Sequence, residues 1–107
     1  MSSGKRRAVP RKFKRIFVRY GSPEPRHKAF AMQISASGFF LSTNGIVYAR
    51  DSPIVVEIAG PEATWIVTGI VRHAIKVHPA MARFAKTGMG VEMTQAPPAC
   101  REYLASL

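Results

Sequence analysis

Two clusters near the start of the chain have residue types and spacings suited to chemistry. The first is a set of arginines, Arg6, Arg7 and Arg11, the last two spaced Arg-x-x-x-Arg with Pro10 between them. A guanidinium is a planar fork of donors, so it pairs bidentately with phosphate or with guanine O6 and N7, and it stacks on a purine face. The second is the hexapeptide Gln33-Ile34-Ser35-Ala36-Ser37-Gly38. The Ser35 hydroxyl can donate or accept, and Gly38, without a Cβ, lets a ligand approach the backbone closely. The arginine cluster suits an anionic partner, and the hexapeptide reads either as a ligand-contacting segment or as a turn between strands.

The elements that must position these residues read as all-β. Residues 1–11 are polar and basic and have nothing to bury, so they are expected to form an arm that stays mobile until something binds it. From Lys12 the pattern alternates. Phe13, Arg15, Phe17 and Arg19 share one face and Ile16, Val18 and Tyr20 the other, which predicts a strand over Lys12–Tyr20 whose aromatic residues serve the core. The segment Gly21-Ser22-Pro23-Glu24-Pro25 forces a turn. Further strands are expected over Lys28–Ile34, Gly38–Ser42, Pro53–Ala59, Trp65–Val77 and Gly90–Thr94, separated by Asn44-Gly45, Asp51-Ser52-Pro53 and Gly60-Pro61. Gly69 lies within the longest of these and predicts a bulge or bend where a small barrel closes. Phe39, Phe40 and Leu41 are consecutive, so strand alternation turns at least one of them outward. Pro97-Pro98 ends the sheet, and Tyr103, Leu104 and Leu107 fall on one face of a short C-terminal helix over Ala99–Leu107.

Composition sets the outer limits. At 107 residues the chain fits one core, assigned to a barrel domain over residues 12–107 that follows the arm. An apolar share of 47% with a net charge of +10 describes a folded module. Eight of the 16 basic residues precede the first acid, Glu24, and such a basic end attracts a phosphate-bearing ligand, nucleic acid or acidic lipid. Cys100 is the single cysteine, so no internal disulfide can form, and a soluble cytoplasmic protein is expected, with no cleaved leader and no membrane span. His27, His73 and His78 lack ligand spacing, so neither a metal nor a cofactor is expected. The six acids suggest no paired general acid and base. Ser35 sits in no G-x-S-x-G elbow, and Gly88-Met89-Gly90 lacks the Lys-Ser/Thr and helix of a phosphate loop. An enzyme is not expected.

In order and spacing these motifs resemble the PilZ domain family. Arg7-x-x-x-Arg11 is similar to its RxxxR switch, and Gln33-x-Ser35-x-x-Gly38 to its (D/N)xSxxG motif with the first residue changed. Ile16-Phe17-Val18-Arg19-Tyr20 looks like its first strand, Gly38-Phe39-Phe40-Leu41 like the continuation of the second motif, and Gly88-Met89-Gly90-Val91 like its late glycine-rich strand. The resemblance covers roughly residues 6–94. It implies a six-stranded antiparallel barrel and a receptor for the bacterial second messenger cyclic diguanylate (c-di-GMP), whose binding folds the arm over the barrel. The implied ligand residues are Arg6, Arg7, Arg11, Gln33, Ser35 and Gly38, with Arg6 at the position associated with binding one ligand or a stacked pair. An unidentified effector protein would read the change, acting on a monomer or a ligand-linked dimer.

Gln33 departs from that pattern. A carboxylate accepts from both guanine N1–H and N2–H, whereas Gln offers one acceptor oxygen and a competing NH2 donor. Losing one charge-assisted hydrogen bond weakens binding by about 1.5–3 kcal/mol. Two alternatives follow. One is the same barrel with a degenerate site, acting as an adaptor between proteins without the nucleotide. The other is a basic barrel that binds nucleic acid through phosphates, which is disfavoured if Phe13, Phe17 and Tyr20 are committed to the core.

Overall fold

The computed structural model describes residues 14–81, 83 and 86–107. The arm over residues 1–11, with Arg6, Arg7 and Arg11, and the expected strand start at Lys12 and Phe13 lie outside the described residues.

Six strands and one helix follow in chain order: β1 (Ile16–Gly21), β2 (His27–Met32), β3 (Gly38–Ser42), β4 (Pro53–Ala59), β5 (Thr64–Ile75), β6 (Gly88–Gln95) and α1 (Pro98–Ser106). All neighbouring strands are antiparallel, and the order β1-β2-β3-β6-β5-β4 closes on itself through the β4–β1 ladder. The expected all-β class, the six-stranded antiparallel barrel and the short C-terminal helix are therefore all present. No helix among the described residues is long and apolar enough to cross a membrane.

Period-two alternation builds the core. Val18 and Tyr20 of β1, Ala29 and Ala31 of β2, Phe39 and Leu41 of β3 and Ile54, Val56 and Ile58 of β4 all point inward. Val67 and Val71 of β5 and Met89, Val91 and Met93 of β6 complete the lining. The helix adds Cys100 and Leu104 to the same cluster, and Tyr103 sets its ring 5.5 Å from that of Trp65. Pro98 at the helix start suits the position, because the amide it lacks would have no intrahelical partner.

Several boundaries differ from the expectation, each for a local reason. β2 stops at Met32, two residues early, because Gln33 takes the left-handed region with φ 52°. β5 ends at Ile75 instead of Val77, and β6 starts at Gly88 instead of Gly90. Gly69 does sit at a register shift, and a second shift falls between Val71 and His73. The reading of Phe17 as a core residue is corrected: it faces outward and is 46% exposed, because the inward positions of β1 belong to Val18 and Tyr20.

Tyr20 and Thr43 build a buried polar network. The Tyr20 side chain is fully buried, and its hydroxyl donates to the Ile46 carbonyl at 2.5 Å and lies 3.1 Å from Thr43 Oγ1. Thr43 Oγ1 in turn donates to the Lys28 carbonyl at 3.1 Å and accepts the Gly45 amide at 3.0 Å. The loop after β3 is thus fixed to β1 and β2. Burial raises the Tyr20 pKa above its ordinary value near 10, against a smaller opposing effect of the Thr43 hydrogen bond. The native state therefore holds this proton more tightly than the unfolded chain does. That contribution to stability is complete below about pH 10 and is lost as pH rises through the folded pKa. Tyr20→Phe is expected to destabilise by about 1 kcal/mol at neutral pH and to show a shallower alkaline loss than the parent, read by urea titration at pH values on either side of 10.

Candidate functional site

An open groove of about 650 Å³ crosses the outer face of β3, β6 and β5, within the size range of small-ligand sites. It exists because several outward positions carry no side chain. With Phe39 and Leu41 buried, Gly38 and Phe40 of β3 face out, and in β6 so do Gly88, Gly90 and Glu92. The ladder pairs Gly38 with Glu92, Phe40 with Gly90 and Ser42 with Gly88. Gly38 and Gly90 form the floor, and the Phe40 ring lies over Gly88 as one wall. The opposite wall is His73 and Ile75 of β5.

Glycine at 38 and 88 is required by strand packing. A Cβ at Gly38 would fall well inside 3.0 Å of the Val91 carbonyl oxygen, and one at Gly88 equally close to that of Leu41. Gly90 differs, since its Cβ would meet only the His73 ring, at 3.3 Å, a side chain that can shift.

The loop between β2 and β3 closes one end of the groove and contains the hexapeptide. The Ser35 amide donates to the Gly38 carbonyl at 2.9 Å, and the Ser35 hydroxyl accepts the Ser37 amide at 3.2 Å. The hydroxyl also lies 3.1 Å from Ser37 Oγ and 3.3 Å from the Gly38 carbonyl, to which it can donate. Two outside groups fix this turn: the Met93 amide donates to the Ser37 carbonyl at 2.9 Å, and Arg101 of α1 donates to that of Ala36 at 2.7 Å. Gln33 sits at the groove rim in a backbone region that favours Asn, Asp and Gly over longer side chains. The first motif position thus prefers a short residue for backbone reasons as well as for hydrogen bonding.

Charge enters from β5. The register shift between Val71 and His73 makes Arg72 the extra residue of a bulge, a device that re-aims side chains. Arg72 Nε donates to Glu92 Oε1 at 2.6 Å, and Arg72 Nη1 lies 3.6 Å from Asp51 Oδ1. These side chains are about half exposed or more, so the pairs contribute little stability, roughly 0–1 kcal/mol each, but they hold the guanidinium at the groove. Lys86 adds a second cation, and Glu92 is the one carboxylate among the described lining residues. The site can therefore hold a flat ring on its glycine floor and satisfy ring N–H donors at Glu92, and Lys86 is the lining cation that forms no ion pair among the described residues, since Arg72 is already paired with Glu92 and Asp51.

Of the residues singled out from sequence, Gln33, Ser35 and Gly38 converge on this groove, while Arg6, Arg7 and Arg11 lie outside the described residues. Phe40 is the outward member that alternation requires of the Phe39-Phe40-Leu41 run, whereas Arg72, His73, Lys86 and Glu92 were not anticipated. The legible signal was Gly88-x-Gly90, whose period of two places both glycines on one face of a strand. No group of three or more His, Cys, Asp or Glu able to hold a metal occurs among the described residues. No protein-family model matches the chain, and no curated protein matches it either.

The two classes of glycine separate on substitution. Gly38→Ala is expected to lose about 1–3 kcal/mol of unfolding free energy through overpacking, and Gly90→Ala to stay within about 1 kcal/mol of the parent while filling the groove floor. Urea titration of both variants checks this.

Proposed function

We propose that this chain is a PilZ-like receptor for cyclic diguanylate, acting in the cytoplasm, that reports occupancy to a protein partner through its basic N-terminal arm. The observation that carries the reading is the convergence of Gln33, Ser35 and Gly38 on one glycine-floored groove that also presents Arg72, Lys86 and Glu92. One guanine lies on the Gly38–Gly90 floor beside the Phe40 ring, with its N1–H and N2–H toward acceptors at the rim. The phosphates meet Arg72 and Lys86, and Arg7 and Arg11 close over the ligand as a clamp, with Arg6 able to serve a second stacked ligand. Ordering the arm costs conformational entropy that is offset only when ligand is present, and this couples occupancy to surface shape.

One observation favours the adaptor reading. The Ser35 hydroxyl is engaged within its own turn, and glycine at 38 is demanded by the neighbouring strand, so both residues have a structural use without ligand.

Isothermal titration with cyclic diguanylate separates the two. The receptor reading expects binding at about micromolar affinity or tighter, near −8 kcal/mol, with the signal lost in the Arg7→Ala/Arg11→Ala variant. Gly90→Ala is expected to weaken binding at least tenfold. Gln33→Asp, which restores a carboxylate at a left-handed position, is expected to tighten it by roughly ten- to hundredfold. Absence of heat in the parent at high ligand concentration rejects the receptor and leaves the adaptor, and recovery of binding in Gln33→Asp then identifies Gln33 as the lesion.

A further inference from the structure

A second concave surface, sharing no lining residue with the first groove, runs along β1 and β2 toward the loop after β3, with a volume of about 630 Å³. Its chemistry is aromatic and cationic. Phe17 and Phe30 stand directly opposite each other in the β1–β2 ladder and are 46% and 45% exposed. Their rings pack edge to face, with centroids 6.1 Å apart. A guanidinium lies over each, that of Arg15 at 5.2 Å from the Phe30 centroid and that of Arg19 at 5.6 Å from the Phe17 centroid. Lys28 is the cross-strand partner of Arg19, and Arg26, His27 and Asn44 continue the lining toward the β3 loop. None of the described lining residues is acidic. Two acids flank it: Glu24, which pairs with Arg26, and Glu57, across from Arg19 in the β4 ladder. Among the described residues, Arg15, Arg19 and Lys28 form no salt bridge.

A cross-strand aromatic pair would by itself explain some stabilisation of the ladder. It does not explain why two apolar rings remain half exposed on a face with four cations. Two aromatic faces extended by planar guanidiniums, beside a positive groove, are what a single-stranded nucleic acid requires: bases stack on rings or on arginine planes while phosphates follow the cations. Other occupants fit less well. The six strands close on one another, so none has a free edge for an added peptide strand. The rings sit mid-strand beneath guanidiniums and not on a protruding tip, which argues against insertion into a lipid surface. We infer that the β1–β2 face is a binding site for single-stranded nucleic acid, with Phe17 and Phe30 as the stacking platform and Arg15, Arg19, Arg26 and Lys28 as phosphate contacts.

Fluorescence anisotropy with a labelled oligodeoxythymidine of about twelve nucleotides, within the footprint of small barrel binders, tests the site. The parent is expected to bind with an affinity that falls steeply with salt, and to prefer the single strand to a duplex of equal length. Phe17→Leu/Phe30→Leu keeps the apolar bulk and the charge but removes the π faces. It is expected to lose roughly ten- to hundredfold in affinity with an unchanged salt slope, while Phe17→Tyr/Phe30→Tyr stays near the parent. Arg19→Gln/Lys28→Gln is expected to flatten the slope by about 1.4. Gly90→Ala, in the other groove, leaves oligonucleotide affinity unchanged. Equal binding of duplex, no effect of the leucine pair, or loss on Gly90→Ala overturns the inference. So does binding to anionic vesicles or a polyglutamate peptide in place of the oligonucleotide. Cyclic diguanylate is absent from every arm, so the outcome is independent of the receptor reading.

Discussion

The close approach of β3 and β6 is the constraint on which the remaining architecture depends. The barrel closes in the order β1-β2-β3-β6-β5-β4, and β6 joins the first half of the chain to the second. At that seam Gly38 lies against the Val91 carbonyl and Gly88 against that of Leu41, positions where any side chain would collide with backbone. The same absence of side chains that lets the strands meet also hollows the outer surface. Fold closure and groove therefore have one cause, and Gly90 extends the hollow without being needed for the seam.

Much of this was legible in the sequence because the strands are short, bounded by glycine and proline, and regular in alternation. Val18 with Tyr20, Phe39 with Leu41, and Ile54 with Val56 and Ile58 each share one strand face by period two, and these are the faces the barrel buries. Phe17 was misjudged because hydrophobicity alone does not determine which face of a strand is buried. Its neighbours Val18 and Tyr20 occupy the inward phase, and Phe17 finds partners in Phe30 and Arg19 instead. The motif residues Gln33, Ser35 and Gly38 were legible as a cluster because they are local in sequence. Arg72 and Glu92 were not, since they meet only through the antiparallel pairing of β5 with β6 and a bulge whose position no residue type announces.

The groove is tied to the C-terminal helix as well as to the sheet. Arg101 holds the Ala36 carbonyl, while Cys100 and Leu104 of the same helix are embedded in the core. Movement of the Gln33–Ser37 loop therefore reaches α1 through one charge-assisted hydrogen bond, and reaches β6 through the Met93 amide. A ligand that straightens or tightens this loop has a short physical route to the helix surface, where a partner can read it. The two concave surfaces, one floored by glycine and one lined by aromatic and basic residues, share no lining residue.

The measurement that bears most directly on the groove as the ligand site is amide chemical-shift mapping of the labelled protein during titration with cyclic diguanylate. Ligand seated in the groove is expected to give saturable shifts at Gly38, Phe40, Gly90, Glu92, Arg72 and His73, extending through Ala36 to Arg101, with the β1–β2 residues Phe17 and Phe30 unaffected. Shifts confined to the β1–β2 face, or no shifts at saturating ligand, would contradict that placement.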